Sequence, residues 1–275
     1  MISKTVIKKV IEFDNPGRIG YDFLDGSFRD IKYVELNMPK KEEYNWQKPE
    51  YFADIYPKYK NFDGFLHLDE YNNLWGRMTH DTTGGGEVLE GALKSWNDLD
   101  SYRVPQIDDE KRFEKAHLSV EPYKERFILG PLPGCTFAIM RNIRKMEIFL
   151  EDLILEEENV LKLQDMVISK LVNMVDMYGS MKCVDAIFFC EDWGTQDRLL
   201  VSPAMWRKIF KPAYVNRLKG LEETPSACIL YAASSMPIKE LTGSNIFVFP
   251  EPDFTFLHED VDVEKRPMYI TAAGE

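Results

Sequence analysis

The sequence lacks several features that define common classes of protein. Its four cysteines are scattered without a Cys-x-x-Cys pair, which argues against a secreted disulfide framework and against a structural zinc site. No apolar run approaches the roughly 18 residues that cross a bilayer. The N-terminal stretch MISKTVIKKVIEF also has no apolar core of a signal peptide. We therefore expect a cytoplasmic protein with reduced thiols and no membrane partner.

An excess of basic side chains is also absent. The 275 residues include 34 Lys and Arg against 46 Asp and Glu, a formal net charge of −12. A protein that neutralises phosphates needs a basic face, so we expect no nucleic acid as its main partner. The sequence has no internal repeat, low-complexity segment or Gly/Ser linker, and its length suits a single domain over residues 1–275.

Seven short apolar runs, bounded by Gly, Pro or charge, predict buried strands. They lie at residues 18–23, 65–69, 126–130, 185–190, 227–232, 245–249 and 267–272. Continuous apolar character is typical of strands that are covered on both faces, as in parallel sheets. Helical signals lie between the runs, so the pattern predicts an α/β fold. The number of strands favours a (β/α) barrel, in a shortened form, over a small doubly wound sheet.

Helical spacing of apolar residues is clearest over residues 145–181. The acidic run at 156–158 indicates a break there and the start of a second helix. A further helix is predicted over residues 203–218, since Ser202 is a good N-cap and Pro203 suits a first helical turn.

Acidic residues that follow the predicted strands are the main candidates for chemistry, because functional groups of a barrel gather at the C-terminal strand ends. Glu191 and Asp192 follow the run at 185–190 and precede Trp193. Either carboxylate can serve as a general acid or base, or orient a cation. Alternatively, one of them caps the next helix or pairs with Arg198.

The same pattern occurs at a second strand end. Asp69 ends the run at 65–69, and Trp75 and Arg77 follow closely; the alternative is a surface salt bridge. Arg18 can bind carboxylates with its planar guanidinium, or it is a solvated strand flank. His67 and Asp69 share a strand face, but a core histidine is favoured over a metal ligand.

Four segments in order resemble one known superfamily. The block EDWGTQDRLLVSPAMWRKIFKPAYVNRL at 191–218 closely resembles the uroporphyrinogen decarboxylase superfamily. DEYNNLWGR at 69–77, LKSWNDLDSYRVP at 93–105 and GPL at 130–132 are similar to further motifs of that superfamily. The resemblance implies a (β/α)8 TIM-type barrel. Members of the superfamily are longer, so we expect a barrel that is shortened or incomplete at the C-terminus, with a homodimer partner covering exposed strand edges.

The resemblance implies one of two activities. The first is decarboxylation, without a cofactor, of a porphyrinogen or a related carboxylate substrate. The second is methyl transfer in a corrinoid-dependent system, with a methyl donor as substrate and a corrinoid protein as partner. The zinc-binding His-x-Cys pair of those methyltransferases corresponds to Tyr231 and Ala233, so we expect no metal and favour the decarboxylase. A missing late histidine leaves a third alternative, a catalytically degenerate barrel that only binds a ligand.

Residue roles follow from position in the resembling motifs. Asp69 matches an aspartate that stabilises positive charge on the substrate ring or binds its N–H groups. Asp192 and Glu191 are expected to orient the substrate or carry protons. The implied substrate-binding residues are Arg18 and Arg77 for carboxylates, and Trp75 and Trp193 as pocket walls.

Overall fold

Two separate three-stranded sheets organise the chain in the computed structural model. The structure describes residues 2–12, 14–22, 29–80, 85–195, 198–217, 245–248 and 268–271. The strands are β1 (Ile31–Tyr33), β2 (Gly64–Leu68), β3 (Leu74–Met78), β4 (Glu87–Glu90), β5 (Phe127–Pro131), β6 (Ala186–Phe188), β7 (Asn245–Val248) and β8 (Met268–Thr271). The first sheet has the order β1-β5-β6 and the second β2-β3-β4, while β7 and β8 pair with each other.

The first sheet is parallel. Ile31 of β1 is the register partner of Phe127 at the start of β5, and Pro131 at the end of β5 is the partner of Phe188 in β6. The central strand β5 is buried over its first four residues. This agrees with the continuous apolar character of its sequence, because a central strand of a parallel sheet is covered on both faces.

The second sheet is antiparallel, and a five-residue connection at 69–73 reverses the chain between β2 and β3. Asn72 in this connection has φ of 65°, a left-handed conformation that asparagine tolerates better than most residues. One face of the sheet packs Leu66 and Leu74 against Phe52 in a small apolar cluster. The hairpin therefore has its own core, apart from the parallel sheet.

The predicted (β/α)8 barrel is wrong. Only β1, β5 and β6 form a parallel sheet among the described residues, and β2 turns directly into an antiparallel partner instead of entering a helix. An apolar run shows that a segment is buried, but it does not encode the neighbour or the direction of pairing. Residues 18–22 form no strand either, since Asp22 makes only an isolated bridge to Arg29. The predicted strand at 227–232 lies outside the described residues.

The helices are α1 (Ser3–Ile11), α2 (Glu110–Phe113), α3 (Ala116–Val120), α4 (Thr136–Arg144), α5 (Met146–Leu155), α6 (Glu157–Ser180), α7 (Pro203–Met205) and α8 (Lys211–Arg217). A π-helical turn at Trp206–Phe210 joins α7 to α8. Short 3₁₀ helices lie at Glu42–Tyr44, Pro49–Phe52, Pro57–Tyr59, Trp96–Asp98 and Glu121–Tyr123. Within the described ranges, no helix is both long and apolar enough to cross a membrane.

Both predictions about helix ends are confirmed. The break lies at Glu156, whose φ of −130° and ψ of 34° separate α5 from α6. Ser202 caps α7, because its hydroxyl accepts a hydrogen bond from the backbone N–H of Met205 at 3.2 Å. Such caps satisfy an N–H that has no partner inside the helix.

The main core lies where α4, α5 and α6 pack against β5. Its largest buried side chains include Phe137, Phe149, Tyr178 and Phe210. Tyr178 of α6 lies on Gly130 of β5, where an added Cβ would come within 2.7 Å of the tyrosine ring. Glycine is needed there for this close approach. The Tyr178 hydroxyl also donates to the carbonyl of Pro131 at 2.9 Å.

A buried ion pair ties the segment after β4 to this core. The guanidinium of Arg144 donates to the carboxylate of Asp152 at 2.8 Å and to the carbonyl of Leu93 at 2.6 Å. The indole N–H of Trp96 donates to the other oxygen of Asp152 at 3.0 Å. Arg144 and Asp152 are only 4% and 6% exposed, so each charge depends on the other for its compensation.

Candidate functional site

The loops that follow β5 and β6 meet at the carboxyl edge of the parallel sheet. Pro131 and Phe188 are register partners at the ends of these strands, and the N–H of Leu132 donates to the carbonyl of Phe188 at 2.8 Å. The chain then enters α4 at Thr136 on one side and reaches Glu191 on the other. Ligands of open α/β sheets bind outside the carboxyl ends of the strands, so this edge is the candidate site.

Glu191 is held at this edge by two other elements. One carboxylate oxygen accepts the backbone N–H of Ala138, in the first turn of α4, at 3.0 Å. The other accepts the hydroxyl of Tyr214 from α8. The hydroxyl of Thr136 in turn donates to the Tyr214 oxygen at 3.3 Å. A strand-end loop, a helix N-terminus and a second helix therefore fix one carboxyl group.

The surroundings of Glu191 raise its pKa. Burial raises the pKa of Glu191 above its ordinary value of 4.5. The hydrogen bonds from Tyr214 and from the backbone N–H groups of Ala138 and Phe137 oppose this rise, as does the charge of Arg141, but they do not cancel it. Burial and the neighbouring Glu191 also raise the pKa of Tyr214. Glu191 is thus a half-buried acid that keeps its proton to a higher pH than an exposed glutamate.

Cys135 lies directly beside this acid. Gly134, at φ of 141°, turns the chain into α4, and Cys135 is the N-cap residue. Burial, together with the charge of Glu191, raises the pKa of the Cys135 thiol to about 11. Its side chain is therefore a neutral thiol at pH 7 and not a nucleophilic thiolate.

Aromatic rings close one side of the site. Trp193 stacks on Phe137 with ring centroids 4.2 Å apart and an interplanar angle of 24°. Its other contacts are Phe210, at 4.8 Å, and Trp206, at 6.4 Å between centroids. The predicted pocket wall Trp193 therefore lies in an aromatic cluster next to Glu191, where it reduces the access of water to the acid.

Asp192 points away from this cluster. It is exposed, and its carboxylate accepts only a long hydrogen bond of 3.4 Å from the N–H of Gly194 within the described residues. Its carbonyl accepts Nη1 of Arg141 at 3.4 Å. Arg141 lies one helical turn after Phe137 and approaches that ring to 5.6 Å, so it brings a half-buried cation to the edge of the site.

Asp69 belongs to the antiparallel hairpin. One of its oxygens accepts the backbone N–H groups of Tyr71 and Asn73, each at 2.9 Å. The other accepts the side-chain amide of Asn73 and the indole N–H of Trp75, each at 2.8 Å. These four bonds close the turn between β2 and β3. In the described part of the chain, Asp69 and Glu191 share no hydrogen-bond partner.

Arg18 holds a different carboxylate. Its two terminal nitrogens each donate to Asp30 at 2.7 Å, and Asp30 is completely buried. Burial by itself would raise the pKa of Asp30, but the hydrogen bonds from Arg18, Ser3 and the N–H of Tyr21 lower it overall. The structure thus places Arg18 at the start of the parallel sheet, in an ion pair that fixes the chain before β1.

Arg77 and Trp75 lie on β3, on one face of the antiparallel sheet. The same face carries His67, whose ring lies 4.2 Å from Trp46 and 6.0 Å from Trp75 between centroids. His67 is therefore a packed histidine. Within the described ranges, no three His, Cys, Asp or Glu side chains are grouped to hold a metal ion.

Sequence reasoning found Glu191 and Trp193 but missed three residues of the site. Tyr214 lies within the resembling block at 191–218, and its signal is a tyrosine in the helix that follows Ser202. Cys135 and Arg141 follow β5, the other strand whose end meets this edge. A comparison of the residues that follow β5 with those that follow β6 would have identified them as candidates.

Glutamine at position 191 is expected to change how stability depends on pH. Because the folded-state pKa of Glu191 is raised, its stabilising contribution is greatest below 4.5 and is lost as the pH rises through the folded value. Glu191→Gln removes this loss, so the variant should gain stability relative to wild type as the pH rises above 4.5. Urea unfolding over that range measures the difference, with the exposed Asp192→Asn as control. If the difference in free energy of unfolding between Glu191→Gln and wild type did not change with pH, the raised pKa of Glu191 would be contradicted.

Comparison with other proteins assigns no family to this chain. No protein-family model, curated protein or solved structure matches it. The resemblance to the uroporphyrinogen decarboxylase superfamily therefore stays a prediction that rests on the quoted segments. The geometry around Glu191 is an observation independent of it.

Proposed function

We propose that the chain is a decarboxylase that acts on a carboxylate-bearing substrate of the porphyrinogen type, with Glu191 as the proton donor. The observation that carries the proposal is the half-buried Glu191, hydrogen-bonded to Tyr214 and to Ala138 at the carboxyl edge of the parallel sheet. The substrate class comes from the resemblance of the block at 191–218. The proposal does not depend on a closed barrel.

The reaction needs an acid in this position. Decarboxylation of an acetate side chain replaces CO₂ with a proton, so one proton must be delivered to the carbon framework in each turnover. A carboxylic acid whose pKa is raised toward the working pH transfers a proton efficiently. After the transfer, the hydrogen bonds from Tyr214 and the N–H of Ala138 stabilise the Glu191 carboxylate. The acid is then reprotonated from solvent.

Arg141 is the proposed partner for a substrate carboxylate. It lies beside the carbonyl of Asp192 and the ring of Phe137, and its only hydrogen bond within the described residues is the long one of 3.4 Å to that carbonyl. Guanidinium groups bind carboxylates through two parallel hydrogen bonds. The half-buried Trp193, which stacks on the fully buried Phe137, provides the apolar wall against which a pyrrole ring can pack.

The test is turnover of uroporphyrinogen by the purified chain under anaerobic conditions, with chromatography of the oxidised porphyrins. We expect products that have lost CO₂ one at a time. Glu191→Gln should lower the rate about 100-fold, which is typical for removal of a general acid. The exposed Asp192→Asn is the matched control in the same loop and should retain the rate.

Three outcomes distinguish the alternatives. Equal rates for Glu191→Gln and wild type would exclude Glu191 as proton donor. Binding of uroporphyrinogen without product would favour the ligand-binding protein that lacks catalysis. Neither binding nor product would end the proposal. Methyl transfer stays a prediction from the resemblance, because Tyr231 and Ala233 lie outside the described residues.

A further inference from the structure

One face of the antiparallel sheet carries a row of rings and cations that the proposed function does not use. Gln47 exchanges two backbone hydrogen bonds of 2.8 Å with Leu66, so residues 46–48 pair with β2 as a short extra strand. Successive side chains along a strand point to opposite faces of the sheet. Trp46 and Lys48, the neighbours of Gln47, therefore share a face with Phe65 and His67, the neighbours of Leu66. This aromatic face consists of Trp46, Lys48, Phe65, His67, Trp75 and Arg77.

The rings of the aromatic face form a continuous row across the sheet. Trp46 meets the edge of His67 at 4.2 Å between centroids. His67 stacks on Trp75 at 6.0 Å with an interplanar angle of 22°. All three rings are half-buried, which leaves part of each accessible. The opposite face of the sheet is closed by packing of Leu66 and Leu74 on Phe52.

Both cations of the aromatic face lie against the ring of Phe65. The guanidinium of Arg77 lies 4.7 Å from the Trp46 ring and 5.6 Å from the Phe65 ring. The ammonium of Lys48 lies 4.3 Å from the Phe65 ring. In the part of the chain that the structure describes, neither cation forms an ion pair or a hydrogen bond. Asp63 lies on this face by strand alternation, but its carboxylate accepts the Thr79 hydroxyl at 3.1 Å.

The two cations of the aromatic face lie in a chain with a net charge of −12. Arg18, Arg112 and Arg144 all pair with carboxylates. Arg77 and Lys48 instead both lie against Phe65, and neither forms an ion pair within the described residues. An oxyanion bound by the two side chains would supply a countercharge to both and use the parallel donors of the guanidinium.

We propose that the aromatic face binds a small aromatic oxyanion. Arg77 and Lys48 bind its phosphate or carboxylate. Its ring packs against the row formed by Trp46, His67 and Trp75. Burial lowers the pKa of His67, so at neutral pH this residue offers an uncharged ring that can take part in stacking. The site lies on a different sheet from Glu191 and is independent of the proposed decarboxylase.

Adenosine monophosphate (AMP) is the probe for this site. We expect calorimetric binding, with shifts of the indole N–H resonances of Trp46 and Trp75 in nitrogen-15 spectra. Arg77→Gln should weaken binding about tenfold, as expected for loss of a charge-assisted contact. Lys48→Gln changes an exposed side chain and should weaken binding in the same direction, which keeps the test valid if Arg77→Gln does not fold.

The matched control is Lys182→Gln, which makes the same change in charge at an exposed position before β6. It should leave the dissociation constant for AMP unchanged. Equal binding of AMP by wild type and Arg77→Gln would overturn the proposal, as would equal weakening by Lys182→Gln. Shifts confined to other tryptophans would place AMP elsewhere and also overturn it.

Partial ligands separate the contributions of ring and charge. Adenosine and inorganic phosphate should each bind at least about tenfold more weakly than AMP, and equal binding by either one would refute a site that needs both parts. Indole-3-acetate tests a carboxylate in place of the phosphate. Tighter binding of AMP identifies the ligand as a phosphate, and tighter binding of indole-3-acetate identifies it as a carboxylate.

Discussion

Replacing Asp152 with alanine is expected to lower the free energy of unfolding by about 3–5 kcal/mol. The change leaves the guanidinium of Arg144 almost fully buried with no carboxylate. The indole N–H of Trp96 also loses its acceptor. An uncompensated buried charge costs more than the net value of the pair, because its desolvation is no longer offset. Urea unfolding followed by circular dichroism measures the loss.

A double variant separates the charge from the packing. Arg144→Met combined with Asp152→Leu removes both charges and fills similar volume, and such exchanges are often neutral or stabilising. The double variant should therefore recover most of the stability that Asp152→Ala loses. Trp96 lacks its acceptor in both variants, and the double variant also loses the bond from Arg144 to the Leu93 carbonyl, so a recovery of stability would show that the unpaired buried charge is the larger cost. Equal instability of the two would show that the ion pair is not the cause.

Replacing Asp69 with alanine is expected to lower the free energy of unfolding by about 3–4 kcal/mol. The Asp69 carboxylate accepts four hydrogen bonds within its hairpin, and hydrogen bonds to a charged group contribute about 1.5–3 kcal/mol each before non-additivity. Asn73 is completely buried, so its N–H and amide groups would lose partners that water cannot replace. Thermal and urea unfolding both report this change.

The outcome for Asp69 also tests its expected role in catalysis. A residue that closes the turn should affect stability, whereas a catalytic residue should affect turnover with little change in stability. Asp63→Ala is the matched control, because Asp63 is an exposed acid beside the same strand with one hydrogen bond, to Thr79. Lost turnover at unchanged stability of the Asp69 variant would contradict the assignment made here.

Some local elements, such as β2, β5 and α6, were predictable from the sequence, whereas β1, β3 and β4 were missed and the way the strands pair was not predicted. Apolar spacing and the Ser202-Pro203 start are local signals, and both act through contacts within one helix. The direction of pairing after β2 depends instead on the turn at 69–73. Asp69, with Asn72 and Asn73, is a turn composition, and its four hydrogen bonds favour a hairpin over a helical crossover. The apolar run before it is the same in either case.

The residues of the candidate site likewise divide into those that a local signal predicts and those that only the fold brings together. Glu191 was predictable, since an acid after a buried strand is a signal within one segment. Its partner Tyr214 lies 23 residues later, and the packing of α8 against α6 brings the two side chains together. Arg18 and Asp69 have the right chemistry for a site, but their nearest carboxylate and amide partners engage them in the fold. Sequence alone cannot show which polar side chains are already satisfied.

The thiol of Cys135 gives the site a built-in reporter. With a pKa of about 11, about one thiol in ten thousand is ionised at pH 7, so its alkylation by iodoacetamide is slow. Burial is the main cause of this high pKa, and the negative charge of the ionised Glu191 adds to it. A bound molecule that neutralises or displaces that charge would alter the alkylation rate of Cys135, and mass spectrometry of the labelled peptide can follow occupancy without any knowledge of the reaction.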